Sequence, residues 1–219
     1  MVVEEVFGDA DLNTRYCIFS ATKPFVASTV WTLIAEEALD PDLPVATWFP
    51  EFGENGKGAI TLEQVLLHTS GFPSAPLGPP AWFDRQTRVE QMASWRTNWE
   101  PGTRYEYHPT AAHWVLAELI ERVTGADYRD MVEARVTDPA GLPRIVGIPT
   151  DQQDDIADIA LVGEPATPDE LEAVFGVREL PATEVTDEVI LRFNEPAVRE
   201  LGVPGGGGYA RARDLAAFY

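Results

Sequence analysis

Apolar residues recur at three- and four-residue steps in several stretches of the chain, a spacing typical of helices with one buried face. The clearest stretch predicts a helix from Thr22 to about Leu39. Pro24 is compatible with its first turn, where backbone amides have no intrahelical partner. A second helix is predicted to start near Thr61, because Thr61 and Gln64 have the spacing of a capping box. The chain therefore begins with a helix-rich pattern.

Further along, the same periodicity predicts a helix from about Ala111 to Thr124, ended by Gly125. Another amphipathic helix is expected to begin at Arg211 and to continue to Tyr219. Residues 2–7 predict a strand that leads into a turn. Cys17 lies in an apolar run that indicates a second strand with a buried thiol. Helices and strands together indicate a mixed α/β fold.

Composition narrows the function without defining it. The hydrophobic content of 45% is sufficient for the core of one domain, and the net charge of −20 disfavours binding to nucleic acid or anionic membranes. The single cysteine and three histidines match no metal-binding pattern, so neither a metal nor another cofactor is expected. No apolar run is long enough to cross a bilayer and no signal peptide is recognisable, which favours a cytoplasmic location.

Ser20 and Lys23 are the strongest candidates for chemistry. They occur as Ser20-Ala21-Thr22-Lys23 at the start of the first predicted helix, and Lys23 is one of only two lysines in the chain. A serine hydroxyl becomes a nucleophile when a nearby base takes its proton, and an amine three residues later lies on the same side of a helix. Free amides at the helix start can stabilise an oxyanion. A serine cap followed by a solvated lysine explains the same spacing.

Two further motifs follow in order: Leu66-Leu67-His68-Thr69-Ser70-Gly71-Phe72, and Pro101-Gly102-Thr103-Arg104-Tyr105-Glu106-Tyr107-His108-Pro109. Together with Ser20 and Lys23, this order resembles the serine beta-lactamase-like family, which includes class C beta-lactamases, penicillin-binding proteins, D-stereospecific peptidases and related esterases. The resemblance covers roughly residues 7–141, with weaker similarity at 194–196 and 202–219. It implies a helical subdomain packed on an antiparallel sheet.

The resemblance also implies roles for three residues. Ser20 would be the acylated nucleophile and Lys23 the buried base or proton relay. Tyr107 matches the tyrosine of the family's Y-x-N element, and it would share a proton with Lys23 and deliver it to the leaving group. A core tyrosine with a bonded hydroxyl is the alternative interpretation of Tyr107. The implied substrates are small esters, amides or lactams.

One departure from the family pattern affects specificity. Pro109 stands where that element carries asparagine, so the side-chain amide that would bind a substrate amide is missing. This difference favours an esterase over a beta-lactamase or D-peptidase. His108, in the middle position, is a candidate substrate-binding residue, and a surface position in a turn is the alternative. His68 resembles a residue that fixes the loop after the helix and takes no part in the chemistry.

The run Gly205-Gly206-Gly207-Gly208 matches no phosphate-binding pattern. It resembles the family's turn before a helix with an Asp-Leu pair, here Asp214-Leu215, where glycine permits positive φ angles and close backbone approach. The aromatic residues of the segment before Tyr107 fit core packing better than the wall of an acyl pocket; they are Trp82, Trp95, Trp99 and Tyr105.

The chain is interpreted as a single, partial domain. Residues 1–20 are expected to lead to the nucleophile, 21–145 to form the helical subdomain, 150–200 an acidic insertion or lid, and 201–219 the glycine turn and a helix start. Both ends predict a fragment of the fold whose sheet is completed by strands outside it. One of those strands would supply a second oxyanion donor, worth about 3 kcal/mol.

Two expectations follow from that interpretation. Without the missing strands the chain would be a poor enzyme, and its exposed sheet edges and apolar surface would favour self-association. A non-catalytic binding or scaffold relative, or an inactive truncated product, is the alternative to a serine hydrolase.

Overall fold

The computed structural model describes residues 3–179 and 185–219. In that part of the chain helices predominate, and two short strands pair in an antiparallel sheet. The helices are α1 Lys23–Ala35, α2 Leu62–Leu66, α3 Arg85–Ser94, α4 Ala111–Thr124, α5 Tyr128–Val132, α6 Pro168–Phe175, α7 Asp187–Leu191, α8 Pro196–Leu201 and α9 Ala212–Phe218. The strands are β1 Tyr16–Cys17 and β2 Tyr209–Ala210. This mixture of helices and a small antiparallel sheet agrees with the predicted class.

The first helix ends earlier than its apolar pattern predicts. It terminates at Ala35 because Glu37 adopts the left-handed conformation, with a φ of 60°. The Ala38 amide then donates to the Leu33 carbonyl at 2.9 Å, and the Glu37 amide donates to the Ile34 carbonyl at 3.0 Å. This pair of hydrogen bonds is a Schellman motif, which most often has glycine at the left-handed position. Because glutamate and not glycine occupies this position, the sequence contains no signal for the end of the helix.

The predicted starts and stops of the other helices are confirmed. Thr61 and Gln64 form the capping box of α2, and α4 runs from Ala111 to Thr124 and ends at Gly125 with a φ of 71°. The last helix, α9, follows Arg211 as predicted. These termini are local features, so the identity of a few residues determines them.

The core is built around α4. Every residue from Ala111 to Ile120 is buried, and α1 packs against this helix. The helix is therefore enclosed on all sides, more deeply than its amphipathic pattern predicts. Glu118 is 3% exposed, and its charge is compensated by Arg85 at 2.9 Å and Arg122 at 2.6 Å. An unpaired buried carboxylate would be strongly destabilising.

The sheet positions the glycine run beside the start of α1. Tyr16 pairs with Ala210 and Cys17 with Tyr209. The Ile18 amide continues this ladder by donating to the Gly208 carbonyl at 2.9 Å. The predicted strand at Cys17 is confirmed, with the thiol half-buried, and burial raises the pKa of that thiol to about 11.

Close backbone approach, and not positive φ, explains the glycine run. None of Gly205 to Gly208 is among the residues with positive φ in the described chain. A Cβ on Gly207 would lie 2.5 Å from the Val203 nitrogen, and one on Gly208 would lie 2.7 Å from Thr22 Oγ1. Only glycine lets this segment pass so near the nucleophile turn.

The strand predicted over residues 2–7 is not formed in its described part. Residues 3–7 have no strand partner, and Val2 lies outside the described residues. An extended segment becomes a strand only when a neighbour satisfies its amides and carbonyls. Phe7 is 80% exposed here, and the expected self-association stays a prediction.

The acidic region predicted as an insertion or lid has two different parts. Helix α6 buries none of its side chains. The part that begins at Val185 and reaches Phe193 borders a cavity that is described below. Residues 180–184 of this region lie outside the described chain, and the proposed domain boundaries stay predictions. Among the described residues, none of the helices combines the length and apolarity that a bilayer crossing requires.

Lys57, the second lysine, is an internal hydrogen-bond donor. Its side chain is fully buried, and Nζ donates to the carbonyls of Glu54 at 2.8 Å, Ala93 at 2.9 Å and Trp95 at 2.5 Å. Burial lowers the pKa of this amine to about 8. Three carbonyls match the three donors of an ammonium group. Lys57 therefore ties its own loop, which includes Glu54, to the end of α3.

Candidate active site

Ser20 lies in a tight turn that precedes α1. A 3-10 turn spans Phe19–Thr22, directly before the first residue of the helix, and the side chain of Ser20 is exposed. Phe19 has a φ of 42°, a left-handed conformation that costs a residue with a Cβ about 1–3 kcal/mol. The strained turn presents Ser20 at the helix N-terminus, where the helix dipole favours negative charge on a reacting oxygen.

The Ser20 hydroxyl receives two hydrogen bonds from predicted site residues. Tyr107 Oη donates to Ser20 Oγ at 2.7 Å, and Lys23 Nζ donates to the same oxygen at 3.2 Å. Lys23 Nζ also lies 5.0 Å from the centre of the Tyr107 ring. Tyr107 is 41% exposed, so it is not the core tyrosine of the alternative interpretation. The structure brings Ser20, Lys23 and Tyr107 together.

Lys23 is held by main-chain carbonyls as well as by Ser20. Its Nζ donates to the Pro109 carbonyl at 2.7 Å and to the Gly205 carbonyl at 2.6 Å, and the residue is 7% exposed. The alternative of a solvated lysine is therefore wrong. These three acceptors fix the amine beside the Ser20 hydroxyl.

Two groups of this site were missed by sequence reasoning, and both are carbonyl oxygens. In the sequence Pro109 stands out only for the amide that it lacks, and Gly205 only as part of a glycine turn. A backbone carbonyl has no residue-specific signal, and Gly205 lies 182 positions from Lys23 in the sequence. The glycine run itself was the one available clue, because glycine permits close approach.

His108 is placed away from the reacting groups, which contradicts both interpretations of this residue. Its side chain is fully buried, and it is neither at the surface nor in the wall of the cavity. Nε2 accepts from the Phe72 amide at 3.2 Å and contacts Ser70 Oγ at 3.1 Å, while Nδ1 contacts the Glu106 carbonyl at 2.6 Å. These partners assign the proton to Nδ1. His108 therefore fastens the Tyr107 segment to the core.

His68 and His113 lie behind Tyr107. The His68 ring is 5.0 Å from that of Tyr107 and 6.1 Å from that of His113, and His68 Nδ1 accepts from the His108 amide at 3.1 Å. Burial, aided by His108 and Lys23, lowers the pKa of His68 to about 4. Burial also holds the pKa of His113 and of His108 below the ordinary value. All three rings are neutral at pH 7, so Lys23 has no cationic histidine beside it.

A mainly apolar cavity of about 290 Å³ opens beside Ser20. None of the described residues that line it is charged. Its principal walls are Leu77, Trp82, Pro109, Val189, Ile190 and Phe193. Trp82 and Trp95 are buried as predicted for core residues, whereas Tyr105 is 66% exposed. Trp82 belongs to the core and also lines the cavity.

Comparison with known proteins identifies the family. The beta-lactamase family profile matches residues 1–219, so the chain belongs to the beta-lactamase family. Over 149 residues it is 30% identical to esterase EstB of Burkholderia gladioli, an alignment that covers 59% of this chain and 38% of EstB. Over 127 residues it is 30% identical to the esterase/beta-lactamase LipL of Mycobacterium tuberculosis (strain ATCC 25618 / H37Rv), covering 56% of this chain and 28% of LipL.

A solved structure supports the same conclusion for the fold. EstA of Arthrobacter nitroguajacolicus Rue61a superposes with a TM-score of 0.80 at 26% identity, covering 97% of this chain and 57% of EstA. The predicted family and fold class are therefore confirmed. The chain spans little more than half of that structure, and the alignments span 38% and 28% of the two curated relatives.

Proposed function

We propose that this protein is a serine hydrolase that cleaves carboxylic esters or amides through an acyl-enzyme on Ser20. The observation that carries the proposal is the convergence of Tyr107 Oη and Lys23 Nζ on Ser20 Oγ, at 2.7 and 3.2 Å. A hydroxyl bonded to both a phenol and an amine has a short route for its proton in either direction. No cofactor takes part in the proposed reaction.

In the acylation step Lys23 is in its neutral amine form: Ser20 Oγ attacks the substrate carbonyl carbon, and its proton passes to Lys23 Nζ, directly or through Tyr107 Oη. Negative charge then develops on the carbonyl oxygen at the N-terminal end of α1, where the helix dipole stabilises it. Tyr107 returns the proton to the leaving oxygen or nitrogen as the scissile bond breaks. In deacylation, water attacks the ester bond to Ser20 and transfers its proton by the same route, releasing the acid and restoring Ser20.

Esters are the substrates that the site favours. Pro109 offers a carbonyl to Lys23 and has no amide side chain for a substrate, so a lactam or peptide would lose that donor. The name of EstB, an esterase, points the same way. Activity on lactams is the second candidate, and the esterase/beta-lactamase name of LipL supports it. A non-catalytic binding role is the remaining alternative.

The intact mass of the protein, measured after incubation with a small fluorophosphonate, tests the proposal, and Ser20→Ala is the negative control. We expect one covalent adduct on the native chain and none on the variant. Turnover of a short-chain nitrophenyl ester but not of a chromogenic cephalosporin would support the ester preference. A folded chain that gives neither adduct nor turnover would contradict hydrolase activity in this chain and favour the binding role.

A further inference from the structure

Three aromatic rings in contact with one another through Phe193 form part of the lining of the cavity beside Ser20. The Phe193 ring contacts those of both Phe19 and Trp82, with its centre 6.0 Å from the first and 6.3 Å from the second, in edge and tilted arrangements. Phe19 directly precedes the nucleophile, and all three residues line the cavity. Phe193 is 6% exposed. Phe193 therefore contacts both the residue that directly precedes the reacting serine and the part of the cavity wall formed by Trp82.

Hydrogen bonds to nearby carbonyls hold these rings in position. The Phe193 carbonyl accepts from Tyr209 Oη at 2.7 Å and from Arg199 Nε at 3.3 Å. Trp82 Nε1 donates to the Leu77 carbonyl at 2.7 Å. Tyr209 belongs to β2, so the sheet beside Ser20 also anchors Phe193. A wall that is held in this way has a defined size, as a length-selective cavity requires.

The wall also lacks a partner for a charged group. None of the described residues that line the cavity is charged, and the chain as a whole has a net charge of −20. A carboxylate placed among these side chains loses its hydration and gains no counter-ion from them, which is strongly unfavourable. The volume of about 290 Å³ lies at the small end of the range for ligand sites. The cavity therefore fits a short, neutral, apolar group.

We propose, on the basis of the proposed function, that this cavity binds the acyl chain of the substrate and that Phe193 limits the length of that chain. The preferred substrates are then esters of uncharged, short to medium aliphatic acids. Acids with a second carboxylate are excluded by the uncharged wall. Phe193 is a specificity-determining residue, and it takes no part in the proton transfers.

A series of nitrophenyl alkanoates, from acetate to dodecanoate, tests the length limit through kcat/KM. For the native chain we expect about a fourfold rise per methylene while the cavity fills, followed by a fall when it is full. Phe193→Ala should move the optimum to longer chains by two or more methylenes, and Phe193→Leu should move it less. An unchanged optimum in both folded variants would overturn the proposal.

Phe83→Ala is the matched control. Phe83 follows Trp82 directly, is 46% exposed and is not among the residues that line the cavity, so its removal should leave the optimum unchanged. A nitrophenyl hemisuccinate tests the charge limit against the butyrate ester of the same chain length. We expect kcat/KM to be at least about a hundredfold lower for the hemisuccinate. Equal values would contradict the uncharged acyl site.

Calorimetric binding of the same esters to Ser20→Ala separates this proposal from the proposed function. In one outcome, binding to Ser20→Ala strengthens with chain length and changes when Phe193→Ala is added, but the native chain hydrolyses none of the esters. That outcome would retain the cavity assignment and refute the proposed hydrolase. Hydrolysis without any effect of Phe193→Ala on either measurement would retain the hydrolase and refute the cavity assignment. Absence of both binding and hydrolysis in the folded chain would refute both.

Discussion

Replacing Tyr107 with phenylalanine removes one hydroxyl from the site and leaves its other contacts in place. The lost group is the donor to Ser20 Oγ at 2.7 Å. The ring contacts with His68, at 5.0 Å, and with Lys23 Nζ, at 5.0 Å, do not need the hydroxyl. The side chain is 41% exposed, so water can replace the lost partner of Ser20. The change therefore tests chemistry with little disturbance of packing.

The expected effects on rate and on stability differ widely. A positioned proton-transfer group contributes about 10²–10⁴ to the rate, so we expect kcat/KM of Tyr107→Phe to fall by that factor, equivalent to about 2.7–5.4 kcal/mol. The free energy of unfolding should change by less than about 0.5 kcal/mol, as for other exposed positions. A defect that arose from unfolding would change both quantities together.

The rate of fluorophosphonate adduct formation on Ser20 and the hydrolysis of a short-chain ester measure the chemical effect, and urea denaturation measures stability. Tyr105→Phe is the matched control, because Tyr105 lies two residues earlier, is 66% exposed and contacts His68 at 6.5 Å. We expect its rates to equal those of the native chain. Rates for Tyr107→Phe within about threefold of native would refute the shared-proton scheme and leave Lys23 as the sole base.

Three further changes separate the roles of neighbouring residues. Lys23→Met should lower kcat/KM by about 10²–10⁴, as measured with a short-chain ester. It should also lower the free energy of unfolding by about 1–3 kcal/mol, as measured by denaturation, because the Pro109 and Gly205 carbonyls lose their donor. Retained activity would exclude Lys23 from the reaction. His108→Ala should lower the free energy of unfolding by about 2–4 kcal/mol with KM unchanged in the folded fraction, whereas a higher KM at native stability would restore a substrate-binding role. The free energy of unfolding should fall as pH falls from about 6.5 to about 4, since unfolded His68 takes up a proton in that window while folded His68, with its pKa lowered to about 4, does not. Denaturation at several pH values should show a smaller slope in His68→Asn, and an identical slope would contradict the neutral assignment.

Side-chain patterns predicted the parts of this molecule that depend on local chemistry. The capping box at Thr61 and the stop at Gly125 are signals spread over a few residues, so both helix termini were predicted correctly. The helix start and the three-residue spacing likewise predicted that Ser20 and Lys23 lie together. Tyr107 required the resemblance to a family, because no local rule links it to a serine 87 positions earlier.

The remaining features depend on tertiary contacts that sequence patterns do not encode. The Gly205 carbonyl reaches Lys23 only because β2 pairs with β1 and the glycine run then passes the nucleophile turn. His108 is polar in the sequence and fully buried in the structure, where contacts with Ser70, Phe72 and Glu106 satisfy its ring. A histidine in that position carries no sign of those partners.

The burial of both lysines has a practical consequence for labelling this protein. The sequence has two lysine side chains, and they are 7% exposed at Lys23 and 0% exposed at Lys57. Reagents that acylate amines can reach these nitrogens only when the surrounding structure opens. The acylation rate at Lys23 therefore reports opening of the active site, and the rate at Lys57 reports opening of the loop of Glu54 and Lys57 beside α3. Two natural residues thus serve as separate chemical probes of local opening, with no engineered tag.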